Sequence, residues 1–441
     1  MANPIPNLFR VPELKSKILF TLMVLLIYRT GAHITTPGVN YQELSLVFAG
    51  QLENSLFQVY DMFVGGALSR ATVFALGIMP YISASIMFQL LAAVFPTVEK
   101  LQKEGEDGRK KLTQWTRYVT IVLAALQAYG YSIFLQTLNN GSAVNNPGPF
   151  FVFTTTILLT IGAVFVMWLG EQITERGIGN GMSLLIFFSI VEGFPAAAVT
   201  TFEALTTGLI GPFKLVILGL VMVGVVAGVA AMTMAARKIP VQIPRKVMGR
   251  GRVREGQKSF IPLRINSAGV MPIIFAQSII VVPGTLAAFA TNLPFLQQAA
   301  QMLQPGTWLY NLLYALLIVF FTYFYTSIIF NPVDLAENLK KQGAFIPGVK
   351  PGAKTADYID YVLSRVTLAG SMYLASIALL PFLIFDWFSL QTFFFGGTSL
   401  LIVVGVGLDT VQQVQQHLLL RHYEGFMKKG RVRFRGRQRY M

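Results

Sequence analysis

The chain has no cysteine, which excludes disulfides and every thiolate metal site. Histidine is nearly as scarce: of the three, only His417 and His422 are close, and a spacing of five does not stack them on one helix face for a metal. Nucleotide loops are missing too. RGIGNGMS (Arg176 to Ser183) is Gly-x-Gly-x-Gly rather than the six-residue dinucleotide fingerprint, and GAFIPGVKPG (Gly343 to Gly352) lacks the Gly-Lys-Ser/Thr of a phosphate loop. No Ser, His and Asp set has a recognisable local signature. An enzymatic site, a metal centre and a cofactor are therefore not expected.

Charge is also thin, at 12% of residues, while 54% are hydrophobic. Charge-free runs extend from Ala71 to Val98, Tyr118 to Gly170, Leu215 to Ala236, Ile265 to Pro332, Val366 to Phe385 and Trp387 to Leu408. A soluble core cannot absorb so much apolar sequence, and the composition implies an all-α polytopic membrane protein. Two of the runs are long enough for two crossings each, with breaks at Asn139 to Pro149 and Thr291 to Thr307. Adding segments that start near Lys17, read as a retained first span, and near Met182 gives ten expected transmembrane helices. With both termini cytoplasmic, 32 of the 35 Lys and Arg fall on one face, leaving Arg29, Arg70 and Lys214. The positive-inside rule supports that orientation and accounts for the net charge of +15 without nucleic acid.

Two cytoplasmic loops are large. In the loop 237–264, VQIPRKV and SFIPLRI read as extended arms of a projecting hairpin with the tip GRGRVREG. In the loop 331–365, DLAENLKKQG reads as a short helix ended by Gly343, followed by a turn around Pro347 and Pro351. Loops braced in this way suit contact with a partner. Ten spans divide into halves, 1–210 and 211–441, an arrangement common in transport proteins, although no convincing internal sequence repeat supports it. Pro80 of GIMPYISASI and Pro272 of AGVMPIIFAQS read as kinks inside the second and seventh spans. Around them, Ser83, Ser85, Gln89, Asn266 and Gln277 could join helices by reversible hydrogen bonds. An ion-coupled secondary transporter is the alternative: Glu192 lies midway along the fifth span and Asp409 near the end of the tenth. A scaffold protein is a third reading, opposed by the prolines and by DMFVGGALSR (Asp61 to Arg70), an apolar, glycine-broken segment too short to cross a bilayer.

GGALSRATVFALGIMPYISASI, MWLGEQITERGIGNGMSLLIF, NPVDLAENLKKQGAFIPGVKPG and FFFGGTSLLIVV closely resemble the SecY family, the central subunit of the bacterial protein-conducting channel. The likeness covers nearly the whole chain in order. It implies two inverted five-helix halves that pass unfolded secretory polypeptide across the membrane and release membrane helices sideways between the second and third and the seventh and eighth spans. By motif, the pore ring is Ile78, Ile82, Met182, Ile186, Ile274 and Ile402, with methionine at 182 where the family often has isoleucine. The segment 57–70 corresponds to the plug, a half-helix under the ring that includes Asp61, Met62, Phe63, Gly65, Gly66, Leu68 and Arg70. On this reading the two glycines loosen it, and its charges face a water-filled outer funnel.

The lateral gate would include Ser83, Gln89, Gln127 and Asn266. Arg250, Arg252, Arg254 and Lys350 would dock the SecA ATPase or the translating ribosome, with Lys350 in place of the arginine usual in bacteria. Lysine keeps that charge but loses the planar fork. SecE and SecG are the implied partner subunits, secretory preproteins and nascent membrane proteins the implied cargo, and the bacterial plasma membrane the implied location. The basic tail within 410–441 would contact lipid headgroups or ribosomal RNA.

Overall fold

A computed structural model describes residues 12–50, 56–138, 142–208, 211–242, 247–248, 252–253, 258–289, 302–305, 307–388 and 397–429. The first half holds α1 (Pro12–Gly31), α2 (Tyr41–Gly50), α3 (Leu56–Val64), α4 (Met79–Val94), α5 (Pro96–Lys103), α6 (Glu106–Thr137), α7 (Pro149–Arg176) and α8 (Gly181–Thr206). The second holds α9 (Pro212–Met234), strands β1 (Ala236–Gln242), β2 (Val247–Met248), β3 (Arg252–Val253) and β4 (Lys258–Arg264), then α10 (Met271–Phe289), α11 (Trp308–Ile329), α12 (Pro332–Lys341), α13 (Ala353–Phe388) and α14 (Gly397–Lys429).

Helices stand at all ten expected places: α1, α4 with α5, α6 to α11, α13 and α14. Among the described residues six are long and apolar enough to cross a membrane by length and composition, or seven if the pair α4 and α5, bent by 109°, counts as one. Proline marks where many of them begin. α5, α7, α9 and α12 each open on one, at the position where the missing N–H has no intrahelical partner to lose. Asn180, Thr307 and Asn331 cap α8, α11 and α12 through side-chain oxygens that accept first-turn N–H groups.

The same rule corrects the reading of Pro80 and Pro272 as kinks. Each is the second residue of its helix, α4 and α10, and starts it rather than bending it. The two starts are built alike, Gly77-Ile78-Met79-Pro80 and Gly269-Val270-Met271-Pro272, and both glycines are left-handed, with φ of 52° and 63°. At that φ a side chain would be strained, so each glycine lets the chain turn abruptly into a helix.

The run Ala71 to Val98 is not a single span. Residues 65–78 are turns, held by bonds such as Thr72 N–H to the Ala67 carbonyl (3.0 Å) and Val73 N–H to the Ile34 carbonyl (2.9 Å). Apolar composition without helical hydrogen bonds is tolerable there because the segment is packed in protein, with Ala71, Thr72 and Ala75 fully buried.

The loop 237–264 is a hairpin, β1 pairing antiparallel with β4 from Ala236 opposite Arg264 to Gln242 opposite Lys258. Its first arm begins earlier than VQIPRKV implies. In the loop 331–365 the short helix is α12, ended by Gly343 at φ 69°, but residues 353–365 already belong to α13. Nor are the loops independent. Gln242 and Phe345 exchange backbone hydrogen bonds of 2.9 and 3.0 Å, and Ile239, Val241 and Leu263 of the hairpin share a small core with Leu339, Ile346 and Ile359.

Candidate functional site

Three starts of helices set the proposed ring. Ile78 is the N-cap of α4 and Ile82 lies one turn on; Met182 and Ile186 occupy the first two turns of α8; Ile274 is in the first turn of α10. Asn180 fixes the start of α8 by accepting the Met182 N–H at 3.1 Å. Ile402 comes from α14, which packs against α8. Ile78, Ile82, Ile186, Ile274 and Ile402 are all buried in the main core, and Met182 packs against it.

Ile82, Met182, Ile186 and Ile274 also line a single cavity of about 360 Å3. Its wall crosses between the halves, with Tyr81, Ser85 and Gln89 on α4 facing Phe275 of α10 and Tyr325 of α11. Its rim is charged. Arg117 of α6 grips Glu171 of α7 through two contacts of 2.8 Å, a fork-to-carboxylate pair, and Glu175 stands beside them. The cavity is a vestibule with an aliphatic floor, and Arg117 at its rim is one of the basic residues expected on the cytoplasmic side.

Against the floor lies the segment 57–70, the expected plug. Only α3 is helical; Gly65 and Gly66, both left-handed (φ 71° and 73°), turn the chain back. They do not loosen it. Asp61 accepts the Leu68 and Ser69 N–H groups through Oδ1, both at 2.9 Å, and its carbonyl accepts the Gly66 N–H at 2.9 Å. Tyrosines hold the carbonyls: Tyr131 donates to Leu68 (2.6 Å) and Tyr60 to Leu76 (2.9 Å). Asp61 is therefore not in an outer funnel but buried, at 9% exposure, and satisfied by backbone donors. Burial pushes its carboxyl above the ordinary value, against the N–H donors and the Arg70 charge. Phe63 and Leu68 are buried with it, Met62 packs on the core, and Arg70 bonds His33 at 3.2 Å. α3 packs against both α8 and α10, and a Cβ on Gly77 would meet Val64 at 2.9 Å, so the end of α3 abuts the start of the ring.

Glu192 is occupied as well. It forms an ion pair with Arg29 of α1, and its Oε2 lies 3.3 Å from where a Gly65 Cβ would stand. Arg29 and Arg70, two of the three basic residues outside the set expected to be cytoplasmic, thus belong to the surroundings of the segment expected as the plug. No spacing in the sequence indicated this pairing, because α1 and α8 meet only in the fold.

The expected gate polars do not bond across a seam. Ser83 donates to the Met79 carbonyl (3.0 Å) and Gln89 to Ser85 (3.1 Å), both within α4, since a helical carbonyl or hydroxyl one turn back is the nearest acceptor. α4 and α10 pack together, and Ser278 Oγ donates to Met79 Sδ across that contact at 3.9 Å. Gln127 is buried at 2% exposure, with both amide atoms lacking a partner among the described residues. Asn266 lies away from the vestibule, donating to the Gly269 carbonyl at 3.0 Å. Of the docking residues, Lys350 is exposed beside the joined loops and Arg252 lies in β3; Arg250 and Arg254 fall outside the described residues. Of the tail, 410–429 continues α14 and 430–441 falls outside them. Among the described residues no cluster of ligands could hold a metal.

Comparison with known proteins gives a consistent answer. The family model described as SecY matches residues 72–411. The protein translocase subunit SecY of Aquifex aeolicus (strain VF5) is 45% identical over 433 residues, covering 97% of this chain and 100% of that protein. A solved structure concerned with how the plug domain of the SecY protein stabilises the closed state of the translocation channel aligns with a TM-score of 0.67 and 17% identity, over 97% of this chain and 100% of that one. Another, Sec61 in the canine ribosome-channel complex from the endoplasmic reticulum, aligns at 0.61 and 16%, again over 97% and 100%. At those identities the structures speak for the fold alone.

Proposed function

The chain belongs to the SecY family of protein translocase subunits, and from that premise we propose how this protein-conducting channel, which is not an enzyme, uses its own residues. An unfolded polypeptide enters the vestibule, passes the ring of Ile78, Ile82, Met182, Ile186, Ile274 and Ile402, and displaces the plug 57–70 beyond it. Aliphatic side chains offer a moving chain no hydrogen bond or charge to hold it, and an apolar constriction blocks ions by dewetting. The thioether of Met182 is flexible and of similar bulk to isoleucine, so the seal accommodates it.

One observation carries this reading: four ring residues from three helices line one cavity that spans both halves, while α3 abuts the ring from the far side. Membrane helices leave through the seam between α4 and α10. They are sorted by partition, since each central Leu or Ile favours lipid by about 0.3–0.6 kcal/mol while a charge opposes it by about 2.5–3.5. That seam fits release because the side-chain hydrogen bond seen across it among the described residues is a weak one, Ser278 to Met79, and the rest is packing.

The halves 1–210 and 211–441 move relative to each other, a division supported by the matching Gly-x-Met-Pro starts of α4 and α10. The joined cytoplasmic loops present Lys350 and the tip with Arg250, Arg252 and Arg254 to SecA or to a translating ribosome. SecE and SecG complete the complex, and the multi-pass chain resides in the bacterial plasma membrane with both termini cytoplasmic, its basic tail on lipid headgroups or ribosomal RNA. Crosslinking a stalled secretory precursor to photoreactive probes at Ile82 and Ile402 tests the path. Adducts at both positions are expected, and their absence at both defeats the assignment. Ion-coupled transport has lost its main support, because Glu192 is held by Arg29.

A further inference from the structure

Where α9, α10, α13 and α14 meet lies a cavity of about 10 Å3 whose walls are mostly apolar but include three groups that can bond water. Asn266, 7% exposed, lines it; its Nδ2 donates to the Gly269 carbonyl, while its Oδ1 is buried with no partner among the described residues. The Tyr373 hydroxyl, also a lining group, is likewise buried without a partner among them. It comes close to α9 because Gly228 leaves room: a Cβ there would lie 2.7 Å from the hydroxyl oxygen. The third group is Asp409 of α14, whose Oδ2 reaches to 3.4 Å from the Cβ position of Gly269.

Two buried polar atoms left unmet, with a carboxylate beside them, are costly in an apolar interior unless something bridges them. We propose that the cavity binds one water molecule, which donates to Asn266 Oδ1 and the Asp409 carboxylate and accepts from the Tyr373 hydroxyl. The volume suits a single water, and three polar partners are the usual number for a buried one. A hard cation fits less well. The Gly269 carbonyl is already engaged with Asn266 Nδ2, and three remaining oxygens are about half the set such an ion takes. The water ties the turn that begins α10 to α13 and α14. α10 and α14 carry Ile274 and Ile402, and the lining residues Ile273 and Leu401 are their chain neighbours, so the bridge sets the spacing of two ring residues.

Electron cryomicroscopy of the intact complex in lipid nanodiscs, at a resolution that shows ordered water, is the direct test. A density peak within hydrogen-bond distance of all three groups is expected, and it should disappear in Tyr373→Phe or Asn266→Leu. An unfilled cavity overturns the proposal, as does a peak with short contacts to five or more oxygens, which marks a cation. Thermal unfolding of the complex is the second readout. Each single substitution should lower the midpoint, and the double variant should fall no further than the worse single, since both remove one bridge. Additive losses overturn the proposal, and so does a midpoint that shifts when sodium and potassium are replaced by a bulky organic cation. If Asn266→Leu does not assemble, loss of the peak in Tyr373→Phe decides alone, and its persistence there counts against the bridge.

Discussion

At the scale of single residues, the charges around the plug carry the testable chemistry. Asp61 satisfies two backbone N–H groups that would otherwise be buried and unmet, each at a cost of about 1–3 kcal/mol. Asp61→Ala should therefore raise the resting ion conductance of the reconstituted complex in planar bilayers, whereas Asp61→Asn, which keeps the accepting oxygen, should leave it nearly closed. The direction of the pH effect follows from burial. With the docked carboxyl raised above its ordinary value, docking favours the protonated form, so that contribution is full below the ordinary value and is lost as pH rises through the raised one. Resting conductance should fall as the outer solution is acidified, and Asp61→Asn should abolish that dependence. Glu192→Gln leaves Arg29 without its partner beside Gly65. It should increase the leak while export continues, and loss of a coupled uptake activity in that variant would restore the transporter reading.

At the scale of elements, the two large loops act as one platform. Leu263 is fully buried between the hairpin and the α12 to α13 segment. Leu263→Ala should cost about 2–5 kcal/mol at that junction. Limited proteolysis should then cut the hairpin faster, and the complex should bind SecA more weakly, although Leu263 itself carries no charge for docking. The hairpin was legible in SFIPLRI, which supplies most of β4, whereas the first arm lies earlier than VQIPRKV, of which 243–246 fall outside the described residues. Its union with the second loop was not, because the Gln242 to Phe345 pairing joins residues about a hundred positions apart with no shared motif. Proline was misread in the opposite sense. Pro80 and Pro272 follow left-handed glycines, and a proline at a helix start looks the same in sequence as one that kinks a helix when the flanks are all apolar.

For the whole molecule, the ring is the element to disturb. Replacing Ile82 and Ile274 together with glycine removes two of the four side chains that floor the vestibule. Ion leak through the resting channel should rise severalfold while precursor export largely persists, and unchanged conductance would contradict the ring assignment.

The sequence by itself determined the class and the ten helical places, and it set the expectation of orientation. Apolar runs of bilayer length have no other stable destination, and the asymmetry of Lys and Arg is a property of composition along the chain. Its motifs also carried the family. Only the tertiary structure decided that DMFVGGALSR is pinned rather than loose, that Glu192 answers Arg29, and that Asn266 lines a small cavity beside Asp409 and not the vestibule. The Arg29 pair and the Tyr131 bond to Leu68 join distant segments, the Asp61 bonds depend on a turn that the sequence did not reveal, and the cavity is set by how helices cross.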